Sequence, residues 1–115
     1  MIPNFKIMKK DVCIADVTMA IKPLVSIHSD HFMDVAICSR ITDLQSLNDW
    51  FETRCFPRSR ADANELLEML GLSDYNPYEL IKRSHGAMFD DFYWINFEHE
   101  TLTWNDVNPR TLTQE

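Results

Sequence analysis

WFETRCFPRSRADANELLEMLGLSDYNPYELIKRSHG, residues 50–86, is the best-punctuated stretch of the chain, and its reading decides the fold class. Within it Ala63, Leu66, Leu67 and Leu70 recur at i, i+3, i+4 and i+7, one apolar face of a helix. Ser59 with Asp62 three residues on forms an approximate capping box for that helix. Gly71 follows where a left-handed C-cap needs a residue without Cβ. The next helix opens on Asn76 as cap and Pro77 at the first helical position, with Glu79 placed to reach back to the cap. Lys82, Arg83 and His85 crowd the negative end of its dipole, and Gly86 closes it. Both of the chain's two glycines stand where a helix must stop.

Working outward, Thr42 opens an earlier helix, paired with Gln45, and Leu44, Leu47 and Phe51 form its inward stripe with Trp50 beside it. Pro57 ends that helix, because the residue before proline avoids the α region. Residues 5–38 read as strands. Val12 to Val17 is one; Pro23 makes Ile21 to Leu24 a turn or sheet edge. Leu24 to His28 and Phe32 to Cys38 follow as two more, turning at Ser29-Asp30. Past Gly86, Tyr93 to Phe97 and Thr101 to Trp104 read as strands joined by Glu98-His99-Glu100. The sequence therefore predicts one α+β domain over residues 1–108 with a loose tail at 109–115. A small antiparallel sheet, from the N-terminal strands and the aromatic C-terminal strands, is covered by helices near 43–55, 60–70 and 77–85. Those helices are expected to bury Leu44, Leu47, Phe51, Leu66, Leu67, Leu70, Leu80 and Ile81.

Composition narrows the function classes. The chain has 115 residues and a net charge of −7. Residues 1–60 carry 8 Lys/Arg against 7 Asp/Glu, and residues 61–115 carry 3 against 11. A sequence-unspecific nucleic-acid binder needs the opposite sign, so direct nucleic-acid binding is not expected. The acidic half reads as a solvated surface, or as one facing a basic partner. No apolar run approaches the roughly 20 residues of a membrane span, and the N-terminus lacks a secretory pattern. Cys13, Cys38 and Cys55 are an odd count without metal or redox spacing, which suits reduced thiols in a cytoplasmic protein. Oligomeric state is not readable.

No residue pattern calls for catalysis, a cofactor or a metal. His28 and His31, with Asp30 between them, are too few ligands for a metal and read as turn histidines. Asp90-Asp91 is a carboxylate pair whose side chains diverge in extended structure. Cys55 lies between Arg54 and Arg58, which would lower its pKa, but no histidine pairs with it in sequence. No glycine-rich phosphate loop is present. Arg54, Arg58 and Arg60 bracket Phe56-Pro57 ahead of a helix, an arrangement suited to a phosphate or a partner's carboxylates. The same arginines would equally lock a helix–helix corner through Asp49, Glu52 or Asp62. Trp50, Trp94 and Trp104 are core residues unless one of them is exposed, which would mark an interface.

Taken in order, IMKKDVCIADV, LNDWFETRCFPRSR, LLEMLGL, NPYELIKRSHGAMFDDFYWI and LTWNDVN resemble a family of small Firmicutes and phage proteins. That family is similar to the N-terminal subdomain, or an accessory segment, of HipA-type serine/threonine kinases. The resemblance spans most of residues 7–108 and rests on the order of its pieces. Its corner motif falls on Trp50, Arg54, Pro57, Ser59 and Arg60, and its later element on Gly86, Asp91, Tyr93, Trp94 and Ile95. The chain ends before any ATP-binding lysine, catalytic loop or metal-binding aspartate of such a kinase, so no phosphoryl transfer is carried over. The resemblance implies a non-enzymatic, antitoxin-like regulatory module that docks on a HipA-like kinase. Trp50, Arg54, Arg58, Arg60, Asp90, Asp91, Tyr93 and Trp94 would then be its partner-binding residues. The alternative is a phage anti-defence inhibitor, such as an anti-CRISPR, that blocks the nucleic-acid surface of a host defence nucleoprotein. Its mimic surface would be Glu65, Glu68, Asp74, Asp90 and Asp91.

Overall fold

The computed structural model describes residues 2–89 and 91–109. In chain order it holds β1 (Phe5–Lys9), β2 (Val12–Met19), β3 (Pro23–Ile27), α1 (Phe32–Ser39), α2 (Leu44–Glu52), α3 (Ala63–Met69), α4 (Pro77–Ser84), β4 (Tyr93–Phe97) and α5 (Trp104–Val107). All strand pairs are antiparallel, in the order β3-β2-β1-β4, so an N-terminal meander accepts β4 beside its first strand. The α+β class expected from sequence is the one observed. Among the described residues no helix is long and apolar enough to cross a membrane.

The meander turns at Lys10-Asp11, where Lys10 takes φ 53°. That hairpin is tied down from two directions. The Lys10 carbonyl accepts the Trp94 indole N–H at 2.7 Å, and the Asp11 carboxylate accepts the Trp104 amide at 2.8 Å. Pro23 begins β3, which lies at the sheet edge where a missing N–H costs no ladder bond.

One sheet face carries Phe5, Ile7, Ala15, Val17, Ile95 and Phe97, covered by Cys38 of α1, Leu47 and Phe51 of α2, and Ile81 of α4. The other face packs Met8 and Trp94 against Trp104 and Val107. Leu47, Phe51 and Ile81 are fully enclosed, and Leu67 and Leu80 nearly so. The expected core loses Leu44, 48% exposed, and Leu70, 39% exposed, while Leu66 is half-buried. In α2 the i, i+4 pair Leu47–Phe51 faces the sheet, which rotates Leu44 to the rim.

Helix boundaries show how local chemistry sets the ends. In α2 the cap lies one residue later than Thr42-Gln45: Asp43 accepts the Ser46 amide at 2.8 Å, and the Ser46 hydroxyl accepts the Asp43 amide at 3.0 Å. Helix α3 has no side-chain cap, because Asp62 is engaged by Arg60 instead. Its other end is a complete Schellman motif, with Leu72 N–H on Leu67 O at 2.9 Å, Gly71 N–H on Glu68 O at 3.0 Å, and Gly71 at φ 75°. Helix α4 starts as expected, with Asn76 accepting from Tyr78 and Glu79 and Pro77 at the first position. Glu79 does not return to the cap but pairs with Lys82 and Arg83.

Two expected strands do not form: one is a helix, and the other is irregular chain leading into a helix. Phe32 to Cys38 forms α1, because its inward residues are Asp34 and Cys38, four apart, while Phe32 and Met33 are exposed. A short apolar run does not distinguish the two periods. Thr101 to Trp104 gives way to α5, where Thr103 and Asp106 exchange hydrogen bonds as a capping box. Tyr93 to Phe97 is a strand, as expected, followed by a turn at 98–99. Of the expected loose tail, residues 110–115 lie outside the described part, as does Asp90.

Candidate functional site: an arginine-lined cleft

The corner after α2 sends its three arginines in three directions. Arg54 turns inward, its side chain 7% exposed. Its Nε donates to Gly86 O at 2.9 Å, its Nη1 and Nη2 grip the Asp91 carboxylate at 2.7 and 2.8 Å, and Nη2 also reaches Tyr93 O at 2.7 Å. The guanidinium thereby ties the end of α2 to the end of α4 and the start of β4. Planar bidentate geometry makes this charge-assisted set strong, and it satisfies backbone carbonyls that would otherwise be stranded. Gly86 is part of the latch. It sits at φ 69°, and a Cβ there would come 3.3 Å from the Arg54 Cβ.

Arg58 lies over the Tyr75 ring, 4.7 Å from its centroid, and donates to Glu52 at 3.3 Å. The Tyr75 hydroxyl in turn donates to Phe56 O at 2.7 Å and meets the Cys55 thiol at 3.5 Å. Burial pushes both the Cys55 thiol and the Tyr75 phenol up from their ordinary pKa values. The expected lowering of Cys55 by its flanking arginines is therefore reversed: one guanidinium is committed to Asp91, the other stacks on Tyr75.

Arg60 faces outward. Asp62 engages its Nε at 2.6 Å, and the guanidinium is half-exposed. It stands on the rim of a cleft of about 500 Å³ between the corner, α3 and α4. Phe56, Pro57, Leu70, Leu80, Ala87 and Met88 give the cleft an apolar lining. Arg83 of α4 lines the same cleft, its Nη2 donating to Leu70 O at 3.2 Å and its Nη1 to Glu79 O at 2.9 Å. Among the described residues, the charged ones lining the cleft are arginines, Arg54, Arg60 and Arg83, in a chain of net charge −7. Met69, the last residue of α3, is 81% exposed.

The other expected site residues are dispersed. Trp94, expected at a partner surface, is fully enclosed, with its indole N–H spent on Lys10 O. It points to the face opposite Ile95, where α5 covers it. Asp91 is held by Arg54. Tyr93 is half-buried and donates its hydroxyl to Asp34 at 2.6 Å. Burial opposes charge on Asp34, but the hydrogen bonds from Tyr93 and Ser29 and the nearby Lys9 ammonium outweigh it and hold its carboxyl below the usual range. Trp50 packs half-buried against the core, lining a separate hollow with Ile37, Arg40 and Thr53. Glu65, Glu68 and Asp74 are exposed on and after α3, whereas Asp91 is not available as part of the same acidic surface. His28 bonds Asp16, and His31 precedes α1, 4.0 Å from Asp34.

Sequence reading did not anticipate Arg83, Leu80 and Met88 as cleft residues. Arg83 carried a signal only as a partner of the helix dipole, since tertiary packing brings it and Arg60 to one cleft. No family model matches the chain, and neither a curated protein nor a solved structure is found similar to it.

Proposed function

We propose that the protein is a non-enzymatic binding module that docks onto a partner protein through the cleft between the 54–57 corner, α3 and α4. The occupant is a partner segment that sets an acidic side chain among apolar ones. The observation that carries this is the lining: apolar walls and arginine cations, against the sign of the whole chain. Burying apolar side chains supplies most of the affinity, about 25 cal/mol per Å². A carboxylate held by two guanidinium groups sets register and orientation. Among the described residues Asp62 engages Arg60 through Nε, which leaves its η nitrogens to take that carboxylate. The resemblance read from the sequence, to HipA-type kinase N-terminal subdomains, makes a kinase of that class the first partner to try.

The test is capture with tagged protein from host lysate, wild type beside the double variant Arg60→Glu/Arg83→Glu. A protein retained by the wild type and lost by the double variant, whose binding is competed by a peptide pairing Glu with Leu or Phe, supports the reading. Equal capture by both proteins contradicts it.

A further inference from the structure

The bulge in β2 creates an arrangement that a regular strand cannot. In a regular strand residues three apart face opposite sides. Here Met8 pairs with Cys13 and Ile7 with Ala15, so Ile14 is the inserted residue. Cys13 is thereby turned onto the face that carries Asp16. His28, just past β3, joins them: its amide donates to the carbonyl of the bulged Ile14 at 2.8 Å, which fixes its backbone beside the pair. Its Nε2 lies 2.5 Å from an Asp16 carboxylate oxygen. One ligand atom from each of Cys13, Asp16 and His28 lies within 4.8 Å of the other two.

We propose that Cys13, Asp16 and His28 form a binding site for Zn²⁺ or another borderline divalent transition ion. Metal–donor distances of about 2.0–2.3 Å put tetrahedral donors roughly 3.3–3.8 Å apart, so the side chains need only small rotations to converge. Thiolate, imidazole and carboxylate together select this class of ion over Ca²⁺ or Mg²⁺, which take oxygen ligands. Three protein ligands leave the fourth position to water or to a ligand atom from outside. The half-exposed Asp16 and His28 side chains, 45% and 44% accessible, give the ion a path of entry. On binding, the His28–Asp16 hydrogen bond is exchanged for two coordinate bonds, the imidazole carries its proton on Nδ1 instead of Nε2, and the Cys13 thiol gives its proton to solvent. Lys6, cross-strand from Asp16, is the neighbouring cation, and its exposure lets it swing away. The site is independent of the arginine-lined cleft.

The probe is Co²⁺ added to the reduced full-length protein, followed by ultraviolet–visible absorption. The expected result is a thiolate-to-Co²⁺ charge-transfer band in the near ultraviolet that saturates at one equivalent and is removed by Zn²⁺ but not by Ca²⁺. Cys13→Ser abolishes the band, while Cys38→Ala/Cys55→Ser retains it. His28→Gln, an exposed change that spares the fold, weakens Zn²⁺ binding by at least the roughly 10–100-fold seen when a ligand's support is lost. Absence of the band in the wild type, its persistence in Cys13→Ser, or unchanged Zn²⁺ affinity in His28→Gln overturns the proposal. Circular dichroism of each variant separates loss of ligand from loss of fold.

Discussion

Arg54 and Arg60 stand six residues apart on one corner and have opposite fates. Arg54 is almost fully enclosed and spends its guanidinium on Asp91, Gly86 O and Tyr93 O. Arg60 is half-exposed, held by one carboxylate, and faces an apolar cleft with Arg83. A cluster of like charges in sequence is thus divided by the fold into a structural latch and a binding rim. The difference lies in what each backbone position faces: Arg54 follows the last turn of α2 toward β4, whereas Arg60 precedes α3 on the outer side. Removing the first should unfold the corner, and removing the second should leave the corner intact and blunt recognition.

The largest effect belongs to the latch. Arg54→Ala leaves a half-buried carboxylate without its guanidinium and two carbonyls without that donor, and should cost about 2–4 kcal/mol. Chemical denaturation reads that loss directly. Arg54→Lys keeps the charge without the fork and should fall in between. A loss near zero for Arg54→Ala would make the latch ornamental.

Next come the two glycines. Both sit at positive φ, so alanine should cost about 1–2 kcal/mol at either from backbone strain. Gly86→Ala should exceed Gly71→Ala, because its Cβ would press on Arg54 while nothing lies within 4 Å at Gly71. Equal losses in melting temperature would dissociate Gly86 from the latch.

A smaller, pH-dependent effect is expected at Asp34. Its folded pKa is lowered from the ordinary 3.8. The carboxylate therefore contributes stability above that value and loses it as pH falls through the lower folded one. Asp34→Asn should flatten the acid limb of the stability profile below about pH 4, with little change in its slope near neutrality. An unaltered acid limb would show that the Tyr93 and Ser29 bonds favour neither form.

The smallest stability effect should come from the rim. Arg60→Glu should stay within about 0.5 kcal/mol of wild type, and Arg83→Glu, which gives up its bonds to Leu70 O and Glu79 O at the negative end of α4, should cost about 0.5–1 kcal/mol. Their main consequence should appear in partner binding. A rim variant that destabilises as much as Arg54→Ala would erase the distinction between the two arginines.

How much of this was legible in the sequence follows the range of the interactions. Helices α2, α3 and α4 were readable because their signals are local: Pro77, Asn76 and Gly71 act within a turn of where they stand, although the left-handed cap of α4 falls on His85, one residue before Gly86. Strand β2 was readable from alternation and β4 from its aromatic run. Helix α1 was not, since FMDVAICS shows its period only through Asp34, a buried carboxylate satisfied by Ser29 and by Tyr93 from β4. Helix α5 was foreshadowed by Thr103 and Asp106 at capping-box spacing, masked by the β-prone LTW before it. The arginine cluster was visible, but its division was not, because Asp91 lies 37 residues from Arg54. Cys13, Asp16 and His28 were separated in sequence by a strand pairing and a bulge, neither of which leaves a spacing to read.

The measurement that most directly tests the central claim is site-specific photo-crosslinking to the captured partner. A photoreactive phenylalanine analogue at Met88, in the cleft, is compared with one at Met33, on the exposed apolar part of α1. The account predicts a partner adduct from position 88, lost when Arg60 and Arg83 are reversed in charge, and none from position 33. Adducts from position 33 with none from position 88 would place the partner elsewhere and contradict it.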